Sequence, residues 1–395
     1  MKKIIFPIIC FIACIHLSYS QSIQDLIDQV SNSNLQLSVG ELSGEQAAMI
    51  NGTMQTITSR VESNNNLAAD YIKERLEALP NLTVEFQNFN TSGKNVIATQ
   101  IGKTNPDNIY LVCAHYDSVT TFCADDNATG VSAVLEIARI LSAECTDNTI
   151  VYALWDEEEI GLRGANFYAQ QAADTSNGNT RDNILGVINM DMIGYDGDAP
   201  GTAGDNEFDI DVRNIANSLE IKDDLLNILN TYTFDLNVIV VDPGTTASDH
   251  SRFWSQGYSA VLVGESWETN DQTPDYHTSG DQKDDIDFQY MTELTKLVTA
   301  YMATKAVINN QLSVVEFSDS ELQVFPNPVA SVLKINNTNG QNLDIRINDI
   351  NGKLITSKAS NQRLIEINVE NHNTGIYFVN VISETKSSTF KIVKN

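Results

Sequence analysis

Up to about residue 310, apolar positions follow two rhythms that alternate along the chain. Ile109 to Ala114, Ile150 to Trp155, Ile184 to Met190 and Ala260 to Val263 are short continuous apolar runs, the pattern of strands covered on both faces. Leu82 to Phe89 alternates, and Val96 to Ile101 and Val238 to Val241 are further strand-like runs. Between them apolar residues recur at helical spacing: Ala68, Tyr71, Ile72, Leu76 and Leu79; then Val131, Val134, Leu135, Ala138 and Leu141; finally Met291, Leu294, Leu297, Val298 and Met302. Residues 21 to about 60 are polar, with weak helical periodicity. Strands alternating with helices predict an α/β three-layer sandwich around a mostly parallel or mixed central sheet.

The rhythm then changes. Asn309 to Ser320 is polar and aperiodic. Seven short strand patterns follow: Leu322 to Phe325, Val332 to Ile335, Leu343 to Ile350, Lys353 to Thr356, Leu364 to Val369, Ile376 to Ile382 and Thr389 to Val393. The turn signals PNP, NNTNG, NG and NTG separate them, which predicts a small all-β sandwich. The expected organisation is a signal peptide at 1–20, a catalytic-size domain at 21–310, a linker at 311–320 and a C-terminal domain at 321–395.

The signal reading rests on Lys2 and Lys3, the apolar stretch Ile4 to Ile15 and the small-x-small site Ser18-Tyr19-Ser20. A lipoprotein cleavage before Cys14 is disfavoured, because the apolar run continues past it. No other run reaches the length of a membrane span. The formal charge of −28 over 395 residues argues against nucleic acid and anionic membranes as partners. After signal removal Cys113, Cys123 and Cys145 remain, enough for one intramolecular disulfide at most and not spaced for a metal site.

Candidate chemistry sits at the ends of the apolar runs. His115 ends one, Glu158 and Glu159 follow another, and Asp191 ends a third. In an open α/β sheet those ends share one edge, so the topology delivers a histidine and three carboxylates to one place. Each has a plainer reading. A strand-end histidine is commonly satisfied by backbone, Asp125-Asp126 could cap the helix after it, and Glu157 to Glu159 could be an acidic helix start. The metal reading accounts for more. Asp117, two residues from His115, can fix the imidazole tautomer. The Asp126 carboxylate can bridge two ions. One of the adjacent glutamates can bind metal while the other holds water. Asp191 is flanked by apolar residues and needs a partner. His277, in a polar loop, can complete the set. His250 reads as structural. Histidines and carboxylates without cysteine suit Zn²⁺, with Mn²⁺ or Co²⁺ as substitutes. Asp196, Asp198 and Asp205 lie in a Gly-rich loop. Their spacing is not that of a calcium loop, so they read as solvated acids, with Ca²⁺ the alternative.

Five segments, HYDS, ADDNATG, EEIGLRG, MDMIGYDG and PDYHTSGD, occur in that order, preceded by NLAADYIKERLEAL. Over roughly Gly52 to Asn310 the chain resembles the secreted di-zinc aminopeptidases of bacterial leucyl aminopeptidase type. It departs from their pattern at Cys123 and in the short loop Ser118 to Ala124. The resemblance implies the zinc exopeptidase fold and two Zn²⁺. It makes Asp126 the bridging ligand, assigns His115 and Asp191 to one ion, and assigns Glu159 and His277 to the other. Glu158 would be the general base and Tyr276 a hydrogen-bond donor to the tetrahedral intermediate. It implies peptide or protein N-termini as substrate. VFPNPVASVLKI, DINGKLI, NTGIYFVNV and the final KIVKN resemble the sorting domain of the type IX secretion system. That likeness implies the secretion machinery as partner and passage through the periplasm to the surface or beyond, usually with loss of the tail. A carbohydrate-binding sandwich is the alternative for this domain.

The residues alone leave the reaction open. The same site supports a carboxypeptidase or a deacylase, and an inactive surface-binding relative is a further alternative. Phe253, Trp254 or Trp267 could line a side-chain pocket.

Overall fold

The computed structural model describes residues 22–62, 64–197, 205–306, 317–318, 320–350, 353–383 and 386–395. The predicted signal peptide, Asp198 and most of the predicted linker lie outside these residues. The chain divides into two compact units, Met1–Asn310 and Gln311–Asn395.

The weakly periodic start resolves into two helices and a hairpin. Ser22 and Asp25 exchange hydrogen bonds between side chain and backbone, a reciprocal cap that opens α1 (Ile23–Ile27). Ser31 caps α2 (Asn32–Leu42). Asn51-Gly52, both at positive φ, turns β1 (Ala48–Ile50) back on β2 (Thr53–Gln55).

After α3 (Asn66–Glu77) comes the main sheet. Its strands are β3 (Thr83–Asn88), β4 (Lys94–Gln100), β5 (Asn105–His115), β6 (Asn148–Trp155), β7 (Asn183–Met190), β8 (Glu207–Asp211), β9 (Asn237–Val241) and β10 (Ala260–Glu265). They lie in the order β3-β4-β6-β5-β7-β10-β8-β9. The four central strands, β6, β5, β7 and β10, run parallel. Antiparallel pairings of β4 with β6 and of β8 with β10 make the sheet mixed. From β5 the chain crosses first to β6 on one side and then to β7 on the other, so the switch point lies at β5, whose last residue is His115.

Helices α4 (Gly130–Leu141), α6 (Ser218–Thr231) and α8 (Phe288–Ala306) cover one face, and α5 (Arg163–Ala173) and α7 (His250–Ser255) the other. Strand β5 shows the division within itself. Val112 and Ala114 enter the larger core with α4 and α8, while Leu111 and Cys113 enter the second core with Trp155 and Phe253. The expected three-layer sandwich is the observed one.

Four elements of these layers, α5, α6, α7 and β8, were not expected. The helical pattern of α6 is diluted by acids. Strand β8, EFDID, carries an acid at every second position, a residue type depleted in strands. Phe208 and Ile210 alternate with these acids and bury fully in the larger core.

The second unit holds the seven predicted strands: β11 (Leu322–Phe325), β12 (Val332–Asn337), β13 (Leu343–Asp349), β14 (Leu354–Ser360), β15 (Leu364–Asn368), β16 (Gly375–Ile382) and β17 (Ser387–Lys394). They form antiparallel sheets β11-β12-β15 and β14-β13-β16-β17 around their own core of Leu333, Ile345, Ile347, Ile365 and Val379. No helix among the described residues is long and apolar enough to cross a membrane.

One glycine fixes how α4 meets the sheet. A Cβ on Gly130 would lie 2.4 Å from the Met190 carbonyl oxygen and 2.4 Å from Asn127 Oδ1. Gly130→Ala is expected to cost ~1–3 kcal/mol through forced separation of α4 from β7, measured by urea unfolding. Unchanged stability would show that the contact yields freely.

Candidate metal centre

Each chemical side chain reaches the site from a strand end or from the loop just after it. His115 is the last residue of β5 and is 2% exposed. Glu158 and Glu159 follow β6, and Asp191 follows β7. Asp126 lies in the turn that opens α4, and the Asp126-Asn127 peptide is cis. His277 comes from the loop between β10 and α8. The structure brings all of them to one pocket of about 280 Å³, which Tyr276 also lines.

The arrangement has two sides about Asp126. His115 Nε2 lies 3.2 Å from Asp126 Oδ1 and 3.2 Å from Asp191 Oδ1. His277 Nε2 lies 3.3 Å from Asp126 Oδ2 and 3.3 Å from Glu159 Oε2. One carboxylate thus turns one oxygen to each imidazole. His115, Glu158 and Asp191 also bring ligand atoms within 4.8 Å of one another.

Asp117 does a job that differs from the expected one. Its carboxylate is 3.6 Å from His115 Nδ1, beyond hydrogen-bond reach, and its backbone carbonyl at 3.3 Å is the nearer acceptor. The reason is competition. Asp117 Oδ1 accepts from the Glu158 N–H at 3.0 Å, and Oδ2 accepts from the Glu159 N–H at 3.2 Å. Asp117 therefore fixes the backbone of both glutamates.

Two positioning residues escaped the sequence reading. Asp281, the last residue of PDYHTSGD, accepts from the Asp125 N–H at 2.7 Å and the Asp126 N–H at 2.9 Å. Ser248 donates to Asp191 Oδ2 at 2.5 Å and accepts from Asn189 at 2.7 Å. The repeated acids of the matched segments were a visible signal for Asp281; a lone serine gave none for Ser248. His250 stays outside the cluster, with Nε2 3.0 Å from the Thr245 carbonyl and its ring edge-on to Trp254. Burial pushes its imidazole down to about 4, so it is neutral.

The electrostatics state what the pocket lacks. Burial raises Glu158 to about 10, opposed by His115 and reinforced by Asp249, Asp191 and Glu159. Burial, with the Asp126 charge, raises Glu159 to about 8. For His115 burial acts downward, but Asp191 and Glu158 outweigh it and hold the imidazole well above its ordinary range. Burial would likewise raise Asp126, yet hydrogen bonds from His115 and His277 carry it well below the usual carboxylate range. Glu159 Oε1 is buried with no hydrogen-bond partner. Four carboxylates facing two imidazoles, with protons filling the deficit, are a site made for divalent cations, which displace those protons on binding. Nitrogen and oxygen donors without thiolate fit zinc.

Other expectations resolve as follows. Phe253 and Trp254 are buried in the second core and do not line the metal pocket; Phe253 packs against Trp155 and Tyr258, and Trp254 against His250. Trp267 is 45% exposed and stands edge-on to Tyr276, whose ring stacks on His277. Among the described residues Asp196 and Asp205 meet Asp271, with one ligand atom from each within 4.8 Å of the others. Cys113, Cys123 and Cys145 are all free thiols.

Comparison with known proteins identifies the family. Peptidase family M28 matches residues 95–302, more than half of the chain, and a secretion system C-terminal sorting domain matches residues 323–395. The chain belongs to peptidase family M28. It ends in a domain that marks it for export. A probable zinc metalloprotease of Pyrenophora tritici-repentis is 25% identical over 342 residues, 71% of this chain and 76% of its own. The LapA aminopeptidase of Legionella pneumophila superposes with a TM-score of 0.61 at 18% identity, over 78% of each chain. A glutaminyl cyclase of Porphyromonas gingivalis superposes with a TM-score of 0.54 at 15% identity, over 70% of this chain and 99% of its own. At such identities these structures share the fold with this chain.

Asp281→Asn removes one of the two acceptors that hold the Asp126 turn. It is expected to weaken divalent metal binding by ~10–100-fold, read by titration against a chromogenic chelator. Wild-type affinity in the variant would mean that the turn holds without Asp281.

Proposed function

We propose that the chain is an exported metallo-aminopeptidase that removes N-terminal residues from peptides. The observation that carries this is the pair of oxygens of Asp126, each turned to a different imidazole with a further carboxylate beside it. On this reading Asp126 would be shared by two zinc ions, with His115 and Asp191 holding one and Glu159 and His277 the other. Bound zinc supplies Lewis acidity, polarising the scissile carbonyl and acidifying the attacking water.

The protein's own groups do the rest. Glu158 stands beside the ligand Glu159, with its backbone fixed by Asp117. It takes the proton of the attacking water and delivers it to the leaving amine. Tyr276, at the pocket wall, donates to the oxygen that gains charge as the carbonyl becomes tetrahedral. The choice of an amino rather than a carboxyl terminus is supported by the fold shared with a structure named as an aminopeptidase.

The reading extends to the whole chain. Residues 1–20 act as signal peptide, 21–310 as peptidase and 311–320 as linker. Residues 321–395 address the type IX machinery after passage through the periplasm.

Two measurements test this. Glu158→Gln is expected to retain zinc, counted by elemental analysis, while losing at least ~10²-fold in rate. A zinc-replete variant with wild-type turnover would sink the general-base assignment. Leucyl-p-nitroanilide should be cleaved and its N-acetylated form should not, with activity lost on chelation and restored by zinc. Cleavage of the acetylated form alone would replace the aminopeptidase reading with a deacylase or endopeptidase one.

A further inference from the structure

A second cavity, of about 600 Å³, shares Asp191, Met192, Ala247 and Tyr276 with the metal pocket. A peptide whose carbonyl lies at the metal pocket has its adjoining side chain next to this larger space. Its walls are of two kinds. Val241, Leu262, Trp267 and Tyr276 offer apolar surface, while Asp209, Asp211 and Glu268 offer carboxylates.

Asp209 and Asp211 belong to the strand that sequence reasoning missed. In β8 the alternation sends Phe208 and Ile210 to the core and Asp209 and Asp211 to the opposite side. Asp209 and Asp211 are 3% and 6% exposed, a costly position for two carboxylates. Asp209 has a structural use: it accepts from Ser266 Oγ at 2.7 Å, the Trp267 N–H at 2.8 Å and the Glu268 N–H at 3.3 Å. It thereby carries the loop that presents Trp267 and Glu268 to the cavity. Asp211 is less well matched. It accepts from the Thr245 N–H at 2.6 Å, and no lysine or arginine forms an ion pair with it among the described residues. The one cationic side chain on the wall, Arg213, donates instead to the Gly244 carbonyl at 2.8 Å and lies over the Trp254 ring. Burial, with Asp209 and Glu268 beside it, raises Asp211 to about 6, against the lowering pull of the Thr245 N–H and of the Arg213 charge. Glu268 is exposed and makes no ion pair among the described residues.

We propose that this cavity takes a basic side chain, that of lysine or arginine, on the residue whose carbonyl is attacked. The methylene stem lies along Trp267, Tyr276 and Leu262, and the cationic head meets Asp211 and Glu268. A long side chain that is apolar along its length and charged at its tip matches a cavity with that division. The aromatic faces of Trp267 and Tyr276 add attraction for a cation. A neutral aliphatic side chain would leave Asp211 with the Thr245 N–H as its hydrogen-bond donor and no ion pair, the kind of mismatch that discriminates between substrates.

The proposal rests on the peptidase reading, and the test separates the two. The full mature chain carrying Glu158→Gln is loaded with zinc. Binding of Lys-Ala-Ala and norleucyl-Ala-Ala, each with free and with N-acetylated amino terminus, is measured by calorimetry. Norleucine keeps the stem and lacks the ammonium. The lysyl peptide is expected to bind at least ~10-fold tighter than the norleucyl peptide. Adding Asp211→Asn or Glu268→Gln should each reduce that ratio by ~3-fold or more. Glu268 is exposed, so its variant keeps the test readable if Asp211→Asn fails to fold. Equal binding of the lysyl and norleucyl peptides, tighter norleucyl binding, or no binding of any peptide would overturn the proposal. A lysine preference confined to the acetylated pair would uphold the basic pocket and reject the free-amine reading.

Discussion

The centre depends on how one buried carboxylate, Asp126, is held with its two oxygens facing opposite ways. Such a group is expensive to keep out of water, and its position must be fixed by neighbours that are themselves fixed. The Asp281 carboxylate does this through backbone, accepting from the N–H groups of Asp125 and Asp126. Asn127 ties the other side of the turn to the end of β7 through the Met190 carbonyl. Behind them lies the buried guanidinium of Arg60, which donates to the carbonyls of Phe122 and Cys123. Burial lowers its pKa, while the carboxylates of Asp281, Asp126 and Asp117 support its cationic form. The turn is thus gripped by anions through hydrogen bonds and balanced from behind by a cation.

The sheet supplies the other half of the geometry. Parallel strands end together, so three of them deliver His115, Glu158 with Glu159, and Asp191 to one edge without any need for long loops. The price is paid in backbone conformation. Cys123, Glu157, Met192 and His277 all hold positive φ, and each is a proposed ligand or lies within three residues of one. Non-glycine residues in that region cluster where surrounding structure fixes them for function.

Much of this was legible in the sequence, for a physical reason. Buried strands advertise themselves as continuous apolar runs, and the residue that breaks such a run marks the functional edge. His115 after LVCA and Asp191 after INM are cases of this. What stayed hidden was of two kinds. Strand β8 and helix α6 bury narrow apolar faces under many acids, so their periodicity is diluted. Side-chain division of labour was the other. The Asp117 carboxylate was expected at the imidazole of His115 but is taken by two backbone N–H groups. Ser248 and Asp281 act on ligands far away in sequence, 57 and 155 residues from Asp191 and Asp126, and no local pattern encodes such pairs. Aromatic residues near a motif were equally ambiguous. Phe253 and Trp254 turned inward, and Trp267 outward.

The three thiols carry one more consequence. Two are buried and none is joined to another, so no covalent loop restrains the unfolded chain. Among the described residues, the fold is held without a covalent cross-link. Its endurance outside the cell then rests on packing and on whatever binds the folded form alone. On the proposed reading those ligands are the zinc ions, which gather strand ends, turn and loop at a single point. The availability of metal in the surroundings thereby becomes a determinant of lifetime as well as of turnover.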